Sequence, residues 1–444
     1  MPKGKKSVNN ECAFGNLGPA KIESPLLARE SYLDSTRFVD DRTRVLGHIT
    51  LVNGQPPQEG GVMFEAAGPR KKIYFDPSKV KCAIVSCGGL CPGINSVIRS
   101  IVLELYHIYG VKNIVGIKYG FQGFIPRYGH DLADLYPAAV IDVHGRGGCF
   151  LGMSRGGQDI GEIVDALERL NIGLLFTIGG DGTLHAADLI CEEITRRGLK
   201  TGVIGIPKTI DNDIAYVDLT FGFFTAVEAA SRVIMGAHNE AISAPNGVGL
   251  VKVMGRHSGF VAANATLALK DVNYCLIPEV AFDLEGEQGL LNQLRVRLKS
   301  RGHAVILVAE GAGQRYCAGA KGETDASGNI KLGDIGVYLR DRIKEFFEEH
   351  GLELNLKYID PSYEIRSVPA NANDRIYCGF LGQQAVHAGM AGKTGLVISM
   401  LNNKYVHVPI KMAINHRRQV NPNGALWLSV LESTGQPNLT NDRK

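Results

Sequence analysis

From Lys81 onward the chain repeats one pattern: a short run of β-branched and apolar residues, a turn rich in glycine or polar side chains, then a stretch with apolar residues at helical spacing. A hydrophobic period that alternates between about 2 and about 3.6 residues is what parallel βαβ units require. Residues 82–86, 114–117, 174–178 and 202–206 read as buried strands because their apolar runs are continuous rather than alternating. A helix is expected through Val97, Ile98, Ile101, Val102 and Leu105, and another over 160–170, where Ile163, Val164, Leu167 and Leu170 share one face. A third is expected after Ala186, running to Arg197 with Gly198 as its stop. A second α/β unit starts near Asp213, with helices expected over 224–239, 259–269 and 334–350 and strands over 248–253 and 304–309. Residues 320–331 read as a loop. Before residue 80 periodicity is weak and turn clusters occur at 53–57 and 59–61, so this part reads as an embellishment around a later core.

Composition narrows the function classes. The 444 residues are 45% hydrophobic and 21% charged, with a net charge of +3. Those are values of a globular chain, and the apolar runs fall short of the roughly 20 residues of a spanning helix. Without a global positive field, nucleic acid is not the expected partner, and any anion must be held locally. The 9 cysteines form neither a C-x-x-C pair nor a zinc set, and reduced thiols in a cytoplasmic protein are expected. The histidines give no metal pattern. The start, Met1-Pro2-Lys3-Gly4-Lys5-Lys6, lacks an apolar core for secretion, and acidic residues such as Glu11 and Glu23 argue against an organellar transit peptide.

Chemistry concentrates where strands end. Gly179-Gly180-Asp181-Gly182-Thr183 follows a strand; its glycines let backbone approach a phosphate, and Asp181 could hold Mg²⁺ through oxygen. A plain tight turn is the rival reading. Pro207-Lys208-Thr209-Ile210-Asp211-Asn212-Asp213 also follows a strand and sets two carboxylates close together. Phosphoryl transfer to a hydroxyl needs a carboxylate to accept the proton and cations to offset charge, with Asp211 the better base and Asp213 its support. Alone, such a turn is more often solvated or a helix cap. Arg256, in Met254-Gly255-Arg256, could meet a phosphate or be a surface ion pair, and Ser154-Arg155-Gly156 is equally ambiguous. Gly88-Gly89-Leu90-Cys91-Pro92-Gly93 opens a helix and could offer N–H groups to an anion. No G-x-x-x-x-G-K-[ST] loop is present.

Together, and in order, these segments resemble the 6-phosphofructokinase family over about residues 81–430, in particular its long-chain, ATP-dependent plant and protist branch. Glu310-Gly311 and Tyr363-Glu364-Ile365-Arg366 complete the match. The resemblance implies two Rossmann-like doubly wound α/β domains with the active site between them, plus an N-terminal extension. The domains would be residues 81–212 for the phosphoryl donor and 213–410 for fructose 6-phosphate, the chain crossing between them near its end, with an extension over 1–80 and a tail over 411–444. It implies phosphorylation of the sugar's 1-hydroxyl, with Asp211 as base and Thr209, Asp213 and Arg256 shaping the reacting centre. Asp181 would hold Mg²⁺. Gly88, Arg155, Gly156, Gly180, Gly182, Thr183 and Lys208 would line the donor. Thr209, Asp211, Met254, Gly255, Arg256, Glu310, Lys357, Tyr363 and Arg366 would line the sugar phosphate. A cytoplasmic, allosterically regulated homotetramer, its active sites completed across subunits, is the implied assembly.

The chain departs from many relatives at two neighbour-supplied arginines: the first corresponds to a place near Gly247, and the second is replaced by Lys357, which lacks the bidentate fork. Pyrophosphate-using members resemble this chain at Lys208 but carry aspartate where it has Gly182. A carboxylate there would crowd and repel the α-phosphate of ATP, so glycine favours ATP. A Gly-Gly-Asp-Gly-Thr turn also occurs in NAD and lipid kinases, but those do not carry the segments at 207–213 and 254–256. A non-catalytic sensor would be expected to have lost Asp181 or Asp211.

Overall fold

The computed structural model describes residues 12–28, 38–49, 61–317 and 331–441. The turn cluster expected at 53–57, most of that at 59–61 and nearly all of the loop expected over 320–331 lie outside the described residues. The chain divides into two compact units: one holds the residues up to Thr209, Ile214–Phe221 and Pro369–His416, and the other holds Ile210–Asp213, Gly222–Val368 and the chain from Arg417 on.

The main sheet of the first unit takes its first strands from β1 (Arg44–Leu46) and β2 (Met63–Ala66). Then come β3 (Lys81–Ser86), α1 (Ile94–Leu103), β4 (Asn113–Ile117) and β5 (Ala133–Asp134). Helix α2 (Ile160–Arg169), strand β6 (Leu174–Gly179), helix α3 (Asp181–Arg196) and strand β7 (Gly202–Pro207) follow. All six residues of β6 and of β7 are buried, as strands covered on both faces must be. Asp159 starts α2 by accepting the Glu162 N–H at 2.9 Å, and the buried face of that helix is Ile163, Val164, Ala166 and Leu167.

The second unit is built from α4 (Phe223–Ile242), β8 (Gly247–Val253), α5 (Phe260–Leu269) and β9 (Tyr274–Leu276). It continues with α6 (Leu290–Arg301), β10 (His303–Ala309), α7 (Ile335–Glu349), β11 (Asn355–Ile359) and the short α8 (Ser362–Ser367). Its four strands are all parallel, in the order β9-β10-β8-β11. Its core gathers Val248, Leu250, Leu291, Leu294, Ile306 and Leu339.

The chain then returns to the first unit with α9 (Ala372–Met390), β12 (Leu396–Leu401) and β13 (Lys404–Pro409). The first unit's sheet has nine strands, ordered β1-β2-β13-β12-β7-β6-β3-β4-β5. The middle run from β12 to β4 is parallel, and the strands flanking it are antiparallel. A last helix, α10 (Ala425–Thr434), packs on α5 in the second unit.

The α/β class is as the sequence indicates, but four expectations differ in detail. Residues 38–49 and 61–80 are not peripheral: β1 and β2 extend the main sheet, and the buried Glu65 of β2 meets Arg70 at 2.9 Å, His407 at 3.1 Å and Lys393 at 3.2 Å. The first crossing falls after Thr209 rather than at 212, and the return falls at Pro369, well before 410, because β12 and β13 are needed to complete the sheet. Residues from 417 fold onto the second unit instead of trailing as a tail. Finally, α3 starts at Asp181 rather than after Ala186. Its glycines read as a turn, but Gly180 is the cap and Gly182 lies in the first turn, where a glycine costs little helix stability.

Helix α4 presses closely on β8. A Cβ on Gly247 would stand 2.0 Å from the Ala241 carbonyl oxygen, whereas one on Gly236, within the same helix, meets nothing within 4 Å. Gly247→Ala is therefore expected to destabilise the chain by roughly 1–3 kcal/mol, and Gly236→Ala to stabilise it by up to about 1 kcal/mol. Urea and thermal melts of the two variants check both signs.

Candidate active site

In the first unit, register brings three polar turns side by side. Ile178 of β6 lies opposite Ser86 of β3, and Gly179 opposite Pro207 of β7. The turns at Gly88, Gly180 and Lys208 therefore leave the carboxyl ends of three adjacent parallel strands, the edge where open α/β sheets bind ligands. Thr183 folds back over Gly179, whose Cβ would lie 2.2 Å from that of Thr183. The amino end of the 16-residue α3 then faces outward, with Asp181 in its first turn. The helix dipole there favours an anion.

Gly182 is the informative residue of this turn. It is exposed, and a Cβ on it would meet nothing within 4 Å. Neither packing nor a left-handed backbone asks for glycine, so the space in front of it is what a side chain would take away. Lys208 lies at the turn of Gly88, its Nζ 3.6 Å from where a Cβ on that glycine would stand. Its side chain is buried and its Nζ donates to the Gly89 carbonyl at 2.6 Å. Burial pulls the ammonium below its ordinary pKa, against the nearby thiols of Cys91, Cys87 and Cys149. Lys208 thus holds the turn in which Gly88 takes a φ of 92°. The Gly88 N–H in turn donates to the Ser154 carbonyl at 3.2 Å, which ties in the exposed Arg155 and Gly156.

In the second unit the acidic turn closes on the loop after β8. Asn212, between Asp211 and Asp213, is left-handed at φ 55°, a conformation asparagine tolerates. The Asp211 carbonyl accepts from Ser258 Oγ at 2.9 Å, and its carboxylate accepts the Arg256 main-chain N–H. Burial raises the Asp211 carboxyl well above the usual carboxylate range, with Asp213 and Glu310 pushing the same way and the Arg256 N–H and Arg417 opposing. Such a group is suited to taking a proton near neutral pH. Asp213, 2% exposed, is ion-paired to Arg417 at 2.7 Å.

Val253 of β8 lies opposite Ala309 of β10, so Met254, Gly255 and Arg256 leave the sheet beside Glu310 and Gly311. Gly311 has no alternative, since a Cβ there would lie 2.0 Å from the Arg256 carbonyl oxygen. Burial raises the Glu310 carboxyl, against the charges of Arg256 and Lys252. Lys252, in the buried β8, reaches Asp334 and Asp360, each at 2.9 Å. Asp360 also accepts from Ser362 Oγ and so fixes the start of α8. There the Arg366 guanidinium lies 4.6 Å from the centroid of the Tyr363 ring, and Tyr363 is 76% exposed.

Two expected residues stand apart. Lys357 lies opposite Gly249, within the edge strand β11 rather than at its end, and is exposed. Gly247, the place expected to correspond to an arginine, is packed against Ala241 and has no room for a side chain. Lys252 and Arg417 were not among the expected site residues. A lysine in the middle of an apolar strand is a signal, because a buried charge demands partners. Arg417 had no local signal. A cavity of about 570 Å³, lined by Phe14, Arg42, Arg44, Glu65 and Lys393 among others, contains none of the expected site residues. Among the described residues no group of three or more His, Cys, Asp or Glu forms a metal cage.

Residues 81–389 match the family described as phosphofructokinase. The chain is 51% identical to an ATP-dependent 6-phosphofructokinase of Borreliella burgdorferi, over 97% of this chain and 98% of that one. It is 50% identical to a chloroplastic ATP-dependent 6-phosphofructokinase of Arabidopsis thaliana, over 84% of this chain and 68% of that one. Among solved structures, a pyrophosphate-dependent phosphofructokinase from Marinobacter aquaeolei superposes with a TM-score of 0.65 at 18% identity, covering 81% of this chain and 92% of that one. At that identity it shares the fold alone.

Lys208→Met is expected to release the Gly88 turn. A charged hydrogen bond of this kind contributes about 1.5–3 kcal/mol, so amide hydrogen exchange across 87–90 should quicken by tenfold or more. Unchanged exchange would remove the tethering role.

Proposed function

The chain belongs to the phosphofructokinase family, and from that premise we infer that it is an ATP-dependent 6-phosphofructokinase, transferring the γ-phosphoryl group of ATP to the 1-hydroxyl of fructose 6-phosphate. The observation that carries the donor choice is Gly182, which opens on empty space at the amino end of α3. Gly88, Arg155, Gly156, Gly180, Gly182 and Thr183 are assigned to the donor. The buried Lys208 is assigned to holding the glycine turn, which weakens its value as a mark of pyrophosphate use.

Asp211 takes the proton of the sugar's 1-hydroxyl as that oxygen attacks the γ-phosphorus. The bond from phosphorus to the β–γ bridging oxygen breaks, and ADP leaves with that electron pair. Arg256 offsets charge on the moving phosphoryl group, with Thr209 and Asp213 shaping the centre. Met254, Gly255, Glu310, Tyr363 and Arg366 are assigned to fructose 6-phosphate. Mg²⁺ fits the chemistry of the first unit: Asp181 is a partly exposed carboxylate beside a phosphate-accepting helix end, and Mg²⁺ commonly takes one or two carboxylates with substrate phosphates. Bound there, it would neutralise charge on the donor's phosphate oxygens. A homotetramer with Lys357 serving a neighbouring subunit, allosteric regulation and a cytoplasmic location complete the proposal. No described helix is long and apolar enough to cross a membrane.

Steady-state kinetics with ATP and with pyrophosphate test the donor. Turnover with pyrophosphate alone would overturn the reading, and Gly182→Asp is expected to lower kcat/KM for ATP on the order of tenfold or more. Asp211→Asn should cost on the order of 10²–10⁴ in kcat while leaving sugar phosphate binding measurable by calorimetry. Because Asp211 works deprotonated and its pKa is raised, activity of the unsubstituted chain should fall with decreasing pH at values above the ordinary carboxylate range of about 4. An acid limb at or below that range would remove Asp211 as the base.

A further inference from the structure

The turn that carries the base holds a second carboxylate two residues away, and that one is buried. Asp213 is 2% exposed. Two neighbouring carboxylates in a poorly solvated turn cannot both stay ionised unless a cation compensates one of them. The compensating group comes from the far end of the chain. Arg417 Nη1 donates to Asp213 Oδ2 at 2.7 Å, and the next residue's main-chain N–H, that of Arg418, donates to the Asp213 carbonyl at 2.8 Å. Gln419 Nε2 then donates to the His257 carbonyl at 3.2 Å, and the Val420 N–H donates to Glu279 Oε1 at 2.8 Å. That same oxygen accepts the Gly259 N–H at 2.9 Å. Residues 417–420 are thus stitched both to the acidic turn and to the loop after β8.

We propose that Arg417 is a positioning residue for phosphoryl transfer, holding Asp213 in a closed ion pair so that Asp211 keeps the ionised form in which it can accept the hydroxyl proton. The proposal rests on the kinase reading above. The charged groups facing Asp211 are Asp213 and Glu310, which disfavour its ionisation, and Arg417, which favours it; the Arg256 main-chain N–H also favours it. His257 faces Asp213, Arg256 and Arg417; burial and the two arginines hold it below the ordinary histidine value, with Asp213 opposing. Without Arg417 the proton affinity of the pair rises, and Asp211 is occupied by a proton at pH values where the unsubstituted chain works.

The test is the pH profile of kcat/KM for fructose 6-phosphate with Mg-ATP, on the full chain and its variants. Arg417→Gln should move the acid limb up by about one pH unit or more, a tenfold loss on that limb, with activity recovering at alkaline pH. Arg417→Lys, which keeps the charge, should hold the limb near its original place. Adding Asp213→Asn to Arg417→Gln should bring the limb back down, whatever the new plateau, because the second carboxylate is gone. This neutral pair also keeps the test available if Arg417→Gln alone does not fold. An equal loss at all pH values, an unmoved limb in Arg417→Gln, or a limb that Asp213→Asn fails to restore would each overturn the proposal. Absence of turnover by the unsubstituted chain would instead overturn the kinase reading itself.

Discussion

Burial of parallel strands on both faces is the constraint on which the rest depends. Strands β3, β6 and β7 spend their side chains on core contacts and their main-chain groups on each other. Polar chemistry can then enter only where the ladder stops. In the second unit β8 and β10 are buried in the same way, and Met254 and Glu310 leave their ends, beside Asp360 at the end of the edge strand β11. Glycine is concentrated at these exits because a side chain would strike main chain, as at Gly311, or would fill space that the fold leaves open, as at Gly182. These are opposite reasons for the same residue. Only the second points to a ligand.

Electrostatics in the second unit follow from the same economy of space. Lys252 sits inside a buried strand and is tolerable because Asp334 and Asp360 meet it. In doing so it anchors the start of α8, which carries Tyr363 and Arg366. A charge expensive to bury thereby becomes the fixed point from which the short helix proposed to meet the sugar phosphate is held. Such a pair is weak support for stability but a sound device for position.

What was legible in the sequence was what is local. The central strands were visible as continuous apolar runs, and the turns after them as glycines and carboxylates. The start of α3 was misjudged because a helix whose first turn contains glycine looks like a loop. Strands β1 and β2 were missed because they are short, half-exposed and antiparallel, so neither a buried run nor a clear alternation marks them. Arg417 lies 204 residues from Asp213, and no pattern along the chain announces that pairing. The departure near Gly247, where many relatives were read as carrying an arginine, has its reason in contact with Ala241, a fact of packing that spacing does not carry.

The order in which the first sheet is assembled has a consequence for synthesis of the chain. β1 and β2 join the sheet only through β13, and β13 joins only through β12. A growing polypeptide therefore carries β1 and β2 paired only with each other, the β2 edge that faces β13 still open and Glu65 without the Lys393 and His407 that meet it in the finished fold, until residues near 409 have left the ribosome. Neither unit is a continuous piece of chain, so neither can finish folding during translation. For a protein built this way, strands made early are secured only by strands made late.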